Sequence, residues 1–296
     1  MYFGGIFQLP ASPLFRMPAC PRFSKVSMLC AAFLLGQVAL GNDFWLRPGQ
    51  YHVSPGATVY VHRLMGQQFK GERWTGNSQR VAQLLHYAPN DTVDLTQVAT
   101  QQDTLQTTLA LNEAGTHLIG FTSTEASLTQ TASDFNTYLK AEGLDQVLLT
   151  RQRRKQLDKP AREAYRRCAK TLVQVGTATA GSFNAVLGQA LELVPEQNPY
   201  ALRPGTSITV RVLENGQPAR GQLVHIWLKA GAANQPATVQ NVYTSGEGRV
   251  LVRLPPTPVE VLLTTVRMHP HPNAKTADWQ SAWASLTFGL GKSGRR

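Results

Sequence analysis

Cysteine and charge are both scarce in this 296-residue chain, which has three cysteines and 16% charged residues. Three thiols exclude a disulfide-built scaffold and a cysteine-rich zinc module. No stretch reaches eighteen apolar residues, so no segment has the length of a membrane-spanning helix. Local catalytic signatures are missing too. H-E-x-x-H, G-x-S-x-G and C-x-x-C do not occur, and the chain is read as non-enzymatic. A triad assembled from distant residues would leave no such trace. Gly289-Leu290-Gly291-Lys292-Ser293-Gly294 matches G-x-G-x-x-G in letters and is expected to be a coincidence, since the fingerprint needs a following helix that presents N–H groups to a pyrophosphate.

What is present is dispersed hydrophobicity, at 42%, and an excess of positive charge. The 29 Lys and Arg against 18 Asp and Glu give a net +11. Hydrophobicity at this level excludes a disordered chain. Near the start, Arg16, Arg22 and Lys25 precede an apolar run, and Ala39 and Gly41 supply the small residues of an export cleavage site. Residues 1–41 are therefore expected to be a signal peptide with an upstream extension, Met17 being the alternative start. The mature chain would begin at Asn42, in the periplasm or outside the cell. It would keep net +8 and Cys168 as its one thiol, expected to be buried and inert.

Beyond Asp43, short period-two runs alternate with turn residues. Residues 57–62, 91–98, 105–111 and 116–122 read as strands of a β-sandwich spanning 42–125. The next segment, 126–172, reads as a basic helical insertion. Ser133 caps a first helix carrying Phe135, Tyr138 and Leu139, and Gly143 ends it. A second helix carries Leu144, Val147 and Leu148, and a third begins at Pro160 and carries Tyr165 and Cys168. Strand patterns resume in 173–296 as a second sandwich. The expected fold is mainly β: two immunoglobulin- or transthyretin-like β-sandwich units with a helical insertion between them. Without βαβ alternation, a doubly wound α/β fold is excluded.

Two sets of residues are candidates for function. His269-Pro270-His271, placed on a proline-rich loop, offers two imidazoles to nickel, copper or zinc. Residues 140–170 hold ten Lys and Arg against four acids. Within them Arg151, Arg153, Arg154, Lys155, Arg162, Arg166 and Arg167 form a candidate docking face for an anionic surface or an acidic partner. Outside the cytoplasm nucleic acid is not the expected partner.

Six segments carry a resemblance over 42–290. Asn42-Asp43-Phe44-Trp45-Leu46-Arg47-Pro48 opens the expected mature chain, and residues 115–120 and 135–144 follow in order. The most characteristic is Arg162-Glu163-Ala164-Tyr165-Arg166-Arg167-Cys168-Ala169-Lys170, with residues 191–195 and 278–288 completing the set. Together they resemble the bacterial domain-of-unknown-function 4198 family, described as the periplasmic component of cobalt- or nickel-type uptake systems. The resemblance implies a secreted two-part β protein that handles a transition metal, nickel or cobalt, with a membrane metal transporter as partner. It implies ligands at the mature terminus, Asn42 and Asp43 with the α-amine, which His269 and His271 would supplement. Asn42 stands where family members carry His. The other expectation is a structural or adhesive envelope module that binds an anionic surface or a protein without metal.

Overall fold

Most of the alternating runs fold as strands. The computed structural model describes residues 42–74, 78–101, 106–230 and 235–291; the expected signal peptide lies outside them. In chain order the strands begin β1 (Asp43–Pro48), β2 (His52–Val53), β3 (Ala57–Gln67), β4 (Lys70–Arg73), β5 (Val81–Tyr87) and β6 (Thr92–Asp94). A short helix, α1 (Thr96–Gln101), precedes β7 (Gln106–Leu111), β8 (Gly115–Ser123) and β9 (Ala126–Gln130). Two helices follow, α2 (Ala132–Ala141) and α3 (Asp145–Arg153), and then β10 (Ala161–Val175), β11 (Leu191–Pro195) and β12 (Ser207–Glu214). The remaining strands are β13 (Gln217–Pro218), β14 (Leu223–Ala230), β15 (Thr238–Tyr243), β16 (Arg249–Arg253), β17 (Val259–Pro270) and β18 (Trp279–Leu290).

The described residues form three sheets. Ten strands make the largest, in the order β15-β14-β17-β18-β10-β8-β5-β6, with β2 and β9 also paired to β10. The first small sheet joins β1, β3, β4 and β7, and the second joins β11, β12, β13 and β16. The long β10 is the seam. Its residues 163–171 run parallel to β18, and its opposite edge pairs with β9 and then β8. Segments from before and after the helices therefore share one continuous sheet.

Each small sheet closes a hydrophobic core against the large one. Phe44, Leu46, Val61, Leu111, Phe121 and Val173 pack under the first. Leu193, Val210, Ile226, Leu263, Leu286 and Phe288 pack under the second. Strand β1 is buried on both faces, because Phe44 and Leu46 enter the first core while Trp45 turns to Phe69 and Leu262. A third cluster seats α2 and α3, with Phe135, Tyr138 and Leu139 on Trp279 and Trp283.

Local chemistry explains where the helices stop. The side chain of Thr131, not Ser133, caps α2 by accepting from Asp134 N–H at 3.2 Å. Gly143 ends it at φ +63°, a left-handed position that glycine tolerates best. Leu144 N–H then donates back to Leu139 O at 2.8 Å.

Three expectations are corrected. Residues 161–175 are a strand, not a third helix, so helix occupies only 132–141 and 145–153 of the expected insertion. Glu163, Arg167 and Lys170 recur at helical spacing, but all three are buried in polar contacts. Charge therefore did not mark a solvent face here. The run 91–98 is a strand only over β6 and turns helical at Thr96, whose N–H donates to Asp94 Oδ1 at 2.8 Å. His269 and Pro270 belong to the end of β17 instead of a loop.

Candidate functional site

The seven basic residues expected to form one docking face lie in different environments. Arg151 is buried at 2% exposure. It donates to Asn136 Oδ1 at 3.1 Å and to the carbonyls of Gln156 and Lys159 at 2.6 and 2.7 Å, with its guanidinium 4.9 Å from the Phe135 ring centre. It acts as a clamp that closes the turn between α3 and β10. Arg167 is buried too, donating to Asn42 O at 2.8 Å among the rings of Phe44, Tyr165 and Trp283. Arg162 is held by Asp278 at 2.9 Å and Arg166 lies 3.6 Å from Glu125. Arg153, Arg154 and Lys155 differ from these: they are exposed where α3 ends, Lys155 at φ +53°, and Lys159 is exposed four residues on. Among the described residues, the side chains of these four make no ion pair or hydrogen bond.

The four expected metal ligands fall into separate sets. Asn42 is exposed, with its carbonyl taken by Arg167. Asp43 is buried, and burial pushes its carboxyl up to about 7, with Glu142 adding to the rise and Thr264, His225 and Arg167 opposing it. His225 lies 3.2 Å from Glu142 and 2.8 Å from Asn241. Its pKa is raised: burial alone would lower it, but the bond and charge of Glu142 prevail. His269 instead bonds Glu214, which also lies 3.2 Å from Arg267. His271 Nδ1 accepts from Asn273 N–H at 3.0 Å. Asp43 interacts with Glu142, Thr264, His225 and Arg167, whereas the bond of His269 goes to Glu214. Among the described residues no group of three or more His, Cys, Asp and Glu is placed to hold a metal ion.

Sequence reasoning missed the grouping of Asp43, Glu142 and His225. They come from β1, the C-cap of α2 and β14, and no spacing links them. Two other buried polar pairs were equally hidden. His86 and His117 stack with ring nitrogens 2.8 Å apart, and His117 Nε2 lies 2.9 Å from Glu113 O. That carbonyl needs a donor, so Nε2 carries the proton and Nδ1 accepts from His86 Nε2. Lys170 is 1% exposed and meets Glu192 at 2.8 Å and Ala185 O at 2.9 Å. Cys168 is buried, and burial pushes its thiol up to about 11, well away from a nucleophilic thiolate.

These features define a mainly β protein of several sheets and a few short helices, with an unpaired basic turn on its surface. The family described as "Domain of unknown function (DUF4198)" matches residues 39–259, and the chain belongs to that family. No curated protein matches its sequence. Among solved structures, the D0-D1 domain of intimin is 10% identical with a TM-score of 0.20, covering 83% of this chain and 97% of that one. A two-domain fibronectin type III segment of chicken tenascin is 10% identical at 0.21, covering 85% and 99%. The native α-2-macroglobulin of E. coli is 10% identical at 0.21, covering 84% of this chain and 14% of that one.

Proposed function

We propose that this protein is a non-enzymatic β module, exported to the cell envelope, that docks on an anionic surface through the turn at Arg153, Arg154 and Lys155. One observation carries the reading: these three side chains and Lys159 are exposed and unpaired, with Asp158 as the acid among them. Exposed cations with no internal partner are free to meet phosphate groups, and each basic residue near an anionic membrane contributes about 1 kcal/mol. Buried Arg151 fixes the turn that displays them, so the display is built into the fold. The positive excess of the chain draws it toward such a surface over a distance set by ionic strength. Nickel or cobalt delivery with a membrane transporter is the other reading, and it would need Asn42, Asp43, His269 and His271 to converge.

Co-sedimentation with phosphatidylglycerol-containing vesicles tests the proposal. Neutralising two charges, Arg153→Gln with Arg154→Gln, is expected to weaken binding by roughly 2 kcal/mol, or about 30-fold. Equal binding by the variant would remove the turn from the account. Capture of an acidic protein with no vesicle binding would replace the surface by a protein partner.

A further inference from the structure

The large sheet ends in two unlike edges. At one end β6 is three residues long and contains Asp94, with Asp91 just before it. Short strands and edge charges are the usual protection against pairing with another chain. Strand β16 has the same protection, with Arg249 and Arg253 flanking exposed Leu251, and β4 reads Lys-Gly-Glu-Arg. At the other end β15 reads Thr-Val-Gln-Asn-Val-Tyr, with no charge and no proline. Its Val239 and Tyr243 are 45% and 56% exposed.

Register shows which backbone groups β15 leaves open among the described residues. The ladder with β14 is regular from Leu223↔Tyr243 to Leu228↔Thr238, and just beyond it Thr244 N–H donates to Gln222 O at 2.9 Å. Antiparallel pairs alternate between bonded and non-bonded, so the even residues of β15 bond β14. Val239, Asn241 and Tyr243 then direct N–H and C=O groups away from the sheet. Their side chains share one face, the one on which Asn241 bonds His225.

We infer that β15 pairs antiparallel with the β15 of a second copy, about a twofold axis at Asn241. In this register Asn241 faces its own counterpart, and each Val239 faces the partner copy's Tyr243. All three outward residues become bonded pairs, giving about six main-chain hydrogen bonds. A twofold centred on Gln240 would leave its own N–H turned inward and bring fewer outward groups together. The apolar pairing is reciprocal as well: the two large exposed side chains of the strand lie four residues apart on one face, and the axis at Asn241 places each against the other. Aromatic with β-branched is a favourable cross-strand combination. A second copy is thus the occupant whose edge fits, and the result is a closed twofold dimer with one continuous sheet.

A single strand pair is a small interface, so association in the micromolar range is expected. The strand is neutral while the whole chain is basic, so added salt should screen repulsion and strengthen the dimer. Vesicle docking through the basic turn has the opposite salt response, which keeps the two proposals distinguishable. Sedimentation velocity of the purified protein from about 1 to 200 μM, a span that brackets transient association, reads the equilibrium. Val239→Lys should weaken the dimer at least about tenfold by adding an edge charge. In a Cys20→Ser, Cys30→Ser background, Asn241→Cys should oxidise to a covalent dimer, because directly opposed strand residues lie within disulfide range. Gln240→Cys should do so poorly. A monomer throughout the concentration range, or faster cross-linking of Gln240→Cys than of Asn241→Cys, would overturn the inference.

Discussion

Asp43→Asn is expected to stabilise the protein at pH 8 and to leave it nearly unchanged near pH 3. In the folded chain Asp43 is 8% exposed and its carboxyl is pushed from an ordinary 3.8 up to about 7, chiefly by burial. A raised carboxyl binds its proton more tightly in the folded state than in the unfolded one. Its stabilising contribution is whole below about pH 4 and disappears as the pH rises to about 7. Above that, the protein carries a buried carboxylate whose cost follows from the shift at 1.36 kcal/mol per unit, or roughly 4 kcal/mol. Asparagine has almost the same shape and no charge to bury, so the variant escapes that cost. The attraction of Arg167 and His225 and the repulsion of Glu142 are already contained in that shift. Urea unfolding of both proteins at the two pH values checks this, with the difference between them as the readout. Groups that titrate alike in both proteins cancel from that difference. A variant no more stable than the parent at pH 8 would refute the assignment of a strained carboxylate to Asp43.

Two further outcomes rest on the other buried pairs. Lys170→Ala strands the Glu192 carboxylate, 0% exposed and with Oε2 already lacking a hydrogen-bond partner, so a loss of about 3–5 kcal/mol is expected. The double change Lys170→Met with Glu192→Leu should recover most of it, and a double variant as unstable as the single one would contradict this. His86 and His117 are both held neutral, His86 lowered to about 4 by burial and then by His117, with Asp91 and Glu113 opposing. Histidines of depressed pKa lend stability that is present above about 6.5 and lost as the pH falls toward 4. The melting temperature of the parent should therefore fall further than that of His86→Gln between pH 7 and pH 5, and an equal fall would contradict the neutral pair.

The β character of the chain was legible because its runs alternate where one face is wet, as in β12 and β16. The end of α2 was legible as well, since Gly143 supplies a backbone conformation that few residues adopt. Strand β10 was not legible, for a physical reason: it is covered on both faces and still carries Glu163, Arg167 and Lys170. Periodicity assumes that charge seeks water, and here each charge is satisfied inside, Glu163 by Ser281 and Lys170 by Glu192. The basic cluster was seen as composition, and its division into clamps and free cations was not. Arg151 and Arg153 are two residues apart, yet one is buried against carbonyls and the other is exposed. Convergence of Asp43 with Glu142 and His225 depends on the path of β1 between two layers, which no local pattern records.

The most direct measurement is the affinity of the purified protein for phosphatidylglycerol-containing vesicles as salt is raised from about 50 to 500 mM, a range over which the screening length falls from above 10 Å to below 5 Å. Docking through Arg153, Arg154 and Lys155 requires binding that weakens steeply across that range and is absent on neutral phosphatidylcholine vesicles. Binding that ignores salt, or favours both vesicles equally, would contradict the account.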